Sequence, residues 1–155
     1  MKNTKAIAEP FKAVKDERLY YFKAKVTDVL DGDTLKLEYI DLGFGMAVME
    51  ATLRISGIDA PEIHSDNEKE AKAAGLVRDY LIGLVGGKIC TIKTVKDSEK
   101  SKEKFGRYLC DVYLSESETV SKRLVSLGFV RAYKGEKKLI WTDAELDLII
   151  QKLSK

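Results

Sequence analysis

At 155 residues, with 45% hydrophobic and 34% charged side chains, the chain has the size of one domain and enough apolar content to bury a core, which excludes disorder on composition. Apolar stretches such as Leu81 to Val85 fall far short of the roughly 20 residues of a membrane-spanning helix, so no membrane partner is expected. The net charge of +2 is small but unevenly spread: Asp28 to Glu70 carries eleven acidic residues against three basic, Lys88 to Arg107 seven basic against three acidic, and Lys122 to Lys138 six against one. A fold that joins the acidic first half to the basic second half would set a divalent cation beside a phosphate-binding wall; two solvated faces of opposite sign are the plainer alternative.

Met1 to Pro10 has no unbroken apolar run, so no secretory signal is expected in this chain, which is cytoplasmic as it stands and secreted if a leader has been removed. Residues 1–18 read as a polar arm and residues 19–155 as one domain. Tyr20 to Leu30 alternates loosely and is rich in aromatic and β-branched residues; Asp31-Gly32 supplies a turn, and Thr34 to Ile40 alternates again. A second turn at Gly43 and Gly45 leads into a third strand, Val48 to Ser56, before Pro61 ends regular pairing. Ser65-Asp66-Asn67 offers helix caps, Ala73, Val77, Leu81 and Leu84 follow at helical spacing, and Gly86-Gly87 stops the helix.

Lys88 to Val95 and Tyr108 to Leu114 read as two more strands around a charged loop, Lys96 to Gly106. Val120, Leu124 and Leu127 mark a short helix closed by Gly128, and Thr142-Asp143-Ala144-Glu145 is a capping box opening a last one. The fold class is therefore α+β; a five-stranded OB-type barrel with three helices fits the order, as would another small sheet. Cys90 and Cys110 are too few for a disulfide framework and lack the histidines of a zinc site, which leaves buried free thiols.

Several motifs fail on inspection. Asp31-Gly32-Asp33 opens like an EF-hand, but Lys36 and Leu42 stand where the loop needs Gly and Glu. Gly86-Gly87-Lys88 lacks the preceding P-loop spacing, and His64, the sole histidine, sits in a polar loop that makes a poor setting for serine-type catalysis.

What remains is a set of acids and arginines in three blocks at predicted strand ends: Val29-Leu30-Asp31-Gly32-Asp33-Thr34, Leu53 to Glu62, and Lys104-Phe105-Gly106-Arg107. Asp33 and Asp59 on adjacent strands would offer the oxygen ligands a hard cation prefers. Glu62, beyond Pro61, is a candidate general base, and Arg54 and Arg107 are candidate phosphate clamps. Lys104 with its basic loop and Lys134 to Lys138 would bind phosphates, while Phe105 and Tyr133 would stack on unpaired bases; Tyr133 reads equally well as a core aromatic.

Together these blocks resemble the staphylococcal nuclease-like family, the thermonucleases, whose segments run Val-x-Asp-Gly-Asp-Thr, Arg-Leu-x-Gly-Ile-Asp-x-Pro-Glu and Tyr-Gly-Arg. The resemblance spans about Tyr21 to Tyr133 and includes Lys122 to Phe129, similar to the family's Asn-x-x-Leu-Val-x-x-Gly-Leu-Ala helix. It implies an OB-type barrel with three helices and calcium-dependent hydrolysis of DNA and RNA, leaving 3′-phosphates; single-stranded or frayed nucleic acid is the expected partner and a monomer the expected state. By the same resemblance Asp33 and Asp59 are calcium carboxylates, Ala60 lends its backbone carbonyl, Arg54 and Arg107 hold phosphate, Glu62 handles water, and Asp31 and Thr34 support the ligands. The chain departs from the pattern with Ala60 in place of Thr, Phe105 in place of Tyr, and no Gly-x-Trp after the last helix. A non-catalytic binding module on the same fold is the alternative.

Overall fold

The computed structural model describes residues 20–95 and 106–155. The polar arm, residues 1–18, and most of the basic loop, with Lys104 and Phe105, lie outside the described residues. Among the described residues eight strands and three helices follow in the order β1 (Tyr21–Asp31), β2 (Thr34–Gly43), β3 (Met46–Met49), β4 (Thr52–Ile55), β5 (Ile58–Asp59), α1 (Glu68–Val85), β6 (Ile89–Thr94), β7 (Tyr108–Tyr113), α2 (Val120–Leu127), β8 (Arg131–Ala132) and α3 (Asp143–Leu153).

Five of the strands close a barrel in the order β1-β6-β7-β4-β2, sealed by pairing of β2 back onto β1, and the fold is OB-type α+β. Register shifts along β1 between Lys25 and Val26, Val26 and Asp28, and Val29 and Asp31 let this one strand bend far enough to pair with both β2 and β6. The barrel is mixed. After α1 and the β6–β7 hairpin, the chain returns to lay β7 parallel to β4.

The third expected strand, Val48 to Ser56, is two strands. Glu50 adopts φ +53°, a left-handed conformation that kinks the chain between β3, which pairs with β2 beyond the barrel, and β4, which belongs to the barrel wall. Ladder contacts to β2 continue across the kink, from Glu50 N to Glu38 O and from Leu37 N to Ala51 O. Beyond it Leu53 and Ile55 point into the core, whereas Arg54, on the opposite face, is buried against the polar residues at the barrel mouth.

The barrel interior is filled by Val26, Leu35, Leu37, Leu53, Ile55, Ile92 and Val112, and α1 covers one end with Ala73, Val77, Leu81 and Val85. Cys90 and Cys110 are free and buried, and burial raises both thiol pKa values, that of Cys110 to about 12. Helix boundaries follow their caps. Asn67 accepts from the backbone of Lys69 and Glu70 at the start of α1, Gly128 closes α2 at φ +75°, and Thr142 and Glu145 cap α3 reciprocally. Lys69 reaches Asp143 and Asp147 at 3.4 and 3.0 Å, tying α1 to α3.

Candidate active site

The β1–β2 turn carries the first group of residues. Asp31 pairs with Thr34 across it, leaving Gly32 and Asp33 as the two turn residues. Gly32 is glycine for want of space: a Cβ there would lie 2.9 Å from Ala60 Cβ and 3.0 Å from Val77 Cγ1. Asp31 Oδ1 accepts from Gly32 N at 2.9 Å, which tightens the turn. Asp33, buried, accepts from Thr34 Oγ1 at 2.8 Å through Oδ1 and meets Arg54 Nη1 at 2.9 Å through Oδ2.

Strand pairing delivers the remaining residues to this turn. Arg54 lies opposite Thr34, and Ile55 N donates to Asp33 O at 2.8 Å. The second arm of the Arg54 fork donates to Ile58 O at 3.1 Å, next to Asp59. Because Tyr108 pairs with Leu53, the preceding Arg107 emerges beside β4, and its Nη1 reaches Thr34 Oγ1 at 3.5 Å. Asp59 is held in a two-residue ladder opposite Arg131 and is buried. Glu62 is exposed; its backbone N donates to Glu70 Oε1 at 3.1 Å, while Ser65 Oγ donates to Glu70 Oε2 at 2.7 Å, so Glu70 fixes the loop that carries Glu62.

Lys138 also reaches the acidic residues. Its Nζ stands 2.8 Å from Asp59 Oδ1 and 3.4 Å from Glu62 Oε1. The contact with Asp59 is close but poorly aligned, so buried Oδ1 has an adjacent charge without a hydrogen bond directed at it. Burial works against the Lys138 ammonium, but the contact with Asp59 and the charges of Asp59 and Glu62 outweigh it, and its pKa is raised. Burial pushes the Asp31 carboxyl up to about 6; the Gly32 N–H opposes this, and the charges of Asp33 and Glu62 add to it.

A sequence profile of the staphylococcal nuclease homologue family matches residues 52–151, about two thirds of the chain. The chain belongs to this family. A comparison with curated proteins gave no match. The family match begins at Thr52, so the Asp31 to Thr34 turn lies ahead of it and joins the site through its contacts with Arg54 and Arg107.

For a staphylococcal nuclease homologue, the donor chemistry at this mouth suits a hard divalent cation. Asp33 and Asp59 are buried carboxylates, Asp59 Oδ1 lacks an aligned donor, and the Asp31 acid is held up partly by neighbouring negative charge. Among the described residues no three Asp, Glu, His or Cys side chains form a ready metal cage; cations of the protein itself, Arg54 and Lys138, stand against the two carboxylates.

Eight of the residues singled out from sequence, Asp31, Asp33, Thr34, Arg54, Asp59, Ala60, Glu62 and Arg107, meet at this mouth through the contacts above. Tyr133 is half-buried and anchored by its backbone N to Gly57 O at 2.9 Å. Lys138 was expected among the phosphate contacts; it sits instead on Asp59 and Glu62, because β8 and the segment after it run along the acidic loop. The roles of Glu70 and Arg131 leave no mark in the sequence. Glu70 reads there as a first-turn helix acid, and Arg131 as one more charge in a basic stretch.

Proposed function

We propose that the protein is a calcium-dependent nuclease that hydrolyses phosphodiester bonds of DNA and RNA and leaves 3′-phosphates. The observation that supports this best is the convergence of Asp33, Arg54, Asp59, Glu62 and Arg107, drawn from separate stretches of chain, on one barrel mouth. Asp33, Asp59 and the Ala60 carbonyl would hold calcium, with Asp31 and Thr34 supporting the turn that carries Asp33. Calcium, when bound, would supply Lewis-acid polarisation of a phosphoryl oxygen.

The protein's own groups do the rest. Water oxygen attacks phosphorus as its proton passes to the Glu62 carboxylate, and the bond from phosphorus to O5′ breaks. O5′ departs as a hydroxyl on taking a proton from solvent, to which Glu62 later releases its own, so phosphate stays on the 3′ side. Arg54 and Arg107 offset the negative charge that grows on the phosphoryl oxygens, where losing one aimed donor costs about 10²- to 10³-fold in rate. Backbone phosphates rather than base edges would carry the binding, which predicts affinity that falls steeply with salt and discriminates weakly among sequences.

The Lys138 ammonium on Asp59 and Glu62 favours a second reading, a non-catalytic nucleic-acid-binding module. Single-turnover cleavage of a labelled oligonucleotide in calcium separates the two. Wild type cleaves, Arg107→Ala is slower by about 10²- to 10³-fold, and Glu62→Gln by about 10²-fold or more. Equal rates for wild type and both variants would remove these side chains from the reaction, and binding without any cleavage would favour the module.

A further inference from the structure

Lys138 is carried to the acidic loop by a strap that Arg131 pins in place. Arg131 donates to Leu139 O at 2.9 Å and Ile140 O at 3.1 Å, its Nε reaches Glu145 Oε1 at 2.9 Å, and its guanidinium lies 4.1 Å over the Trp141 ring. The two residues after Lys138 are thereby fixed by main-chain contacts, although Leu139 and Ile140 bury little of their own side chains. The Lys138 side chain is 44% exposed and the Asp59 side chain 7%, so the ammonium reaches inward from the surface to a carboxylate that water hardly touches.

From this placement we propose that Lys138 is a built-in counter-ion of Asp59 and Glu62 that competes with a divalent cation for them. The inference rests on the assignment of Asp59 to calcium made above. An ammonium at 2.8 Å from Asp59 Oδ1 already neutralises the oxygen that a calcium ion would approach at about 2.3–2.6 Å. Both cations on that oxygen would repel each other across a few ångströms, so the divalent ion binds only as Lys138 withdraws. The lysine thus weakens calcium affinity, and in the metal-free protein it holds together two carboxylates that would otherwise repel.

Isothermal titration of calcium chloride into the full chain at fixed ionic strength tests this, using wild type, Lys138→Met and Lys138→Arg. Loss of one positive charge near a divalent ion should tighten calcium by about tenfold or more in Lys138→Met, even with solvent screening. Lys138→Arg should stay within about threefold of wild type, since charge rather than shape is the competitor. Calcium binding by Lys138→Met alone would support the same competition in its strongest form. Equal or weaker binding by Lys138→Met than by wild type would overturn the competition and leave the calcium assignment standing. Absence of binding in all three would overturn both. Melting curves without metal give a second readout: Lys138→Met should melt below wild type, and saturating calcium should narrow the gap, whereas an unchanged metal-free Tm would overturn the counter-ion role.

Discussion

Replacing Arg54 with methionine tests the joint on which the mouth is built. Arg54 and Asp33 have side chains 9% and 7% exposed, and their ion pair at 2.9 Å is backed by the bond from Arg54 to Ile58 O. Methionine fills much of the volume but leaves the Asp33 carboxylate buried without its cation, a change that costs about 3–5 kcal/mol. The released Ile58 carbonyl adds about 1 kcal/mol if no water reaches it. At about 2–4 °C per kcal/mol for a chain of this size, Arg54→Met should lower Tm by about 8–24 °C at neutral pH. Urea denaturation followed by circular dichroism measures the loss at equilibrium. The double variant Asp33→Asn/Arg54→Met should recover about 2 kcal/mol relative to the sum of the single changes, because it removes the stranded charge. A loss below about 1 kcal/mol in Arg54→Met, or strict additivity in the cycle, would refute the idea that a buried pair locks β4 to the β1–β2 turn.

Two further substitutions probe the frame around the site. Gly32→Ala places a methyl group against Ala60 Cβ and Val77 Cγ1, both short side chains on packed backbone, and should cost about 1–3 kcal/mol in urea denaturation; a change below about 0.5 kcal/mol would mean the turn has room to spare. Glu145→Gln weakens the α3 capping box and the Arg131 pair, lowering stability by about 1 kcal/mol at pH 7. The Arg131 contact, against burial and with help from Thr142, holds the Glu145 carboxyl down to about 2 from an ordinary 4.5, so the stability it contributes is full above pH 4.5 and lost as pH falls toward 2. The Tm difference between wild type and Glu145→Gln should therefore narrow over that window; a gap that stayed constant would exclude the charge as its source.

Local signals in the sequence mark much of the architecture. Gly86 and Gly128, Asn67, and the Thr142–Glu145 box mark helix ends through caps that depend on a few neighbouring residues, and alternation marks Leu35 and Leu37 as buried, whereas past the register shift opposite Lys25 and Val26 it is Ile40 rather than Tyr39 that is buried. Glu50 gives no such notice, since a left-handed non-glycine residue carries no mark in its type, and so β3 and β4 read as one strand. The parallel pairing of β7 with β4 was equally hidden, because it depends on where the chain returns after more than fifty residues.

The acids and arginines of the mouth stand in short, dense blocks and could be picked out together. Lys138 could not. It meets Glu62 across 76 positions of sequence, and nothing in Lys137-Lys138 distinguishes the lysine that turns inward from the one beside it. Glu70 was obscured for a different reason. It serves the first turn of α1 and the Glu62 loop at once, and the helix role alone accounts for its presence.

Supercoiled circular DNA offers the most direct test of whether this mouth cleaves phosphodiesters. Incubated with the protein in calcium, in magnesium and in chelator, it should be nicked in calcium and stay intact in chelator, with ends that resist polymerase extension until a phosphatase removes the 3′-phosphate. Plasmid left intact in all three conditions by correctly folded protein would contradict the assignment of hydrolysis to Asp33, Arg54, Asp59, Glu62 and Arg107.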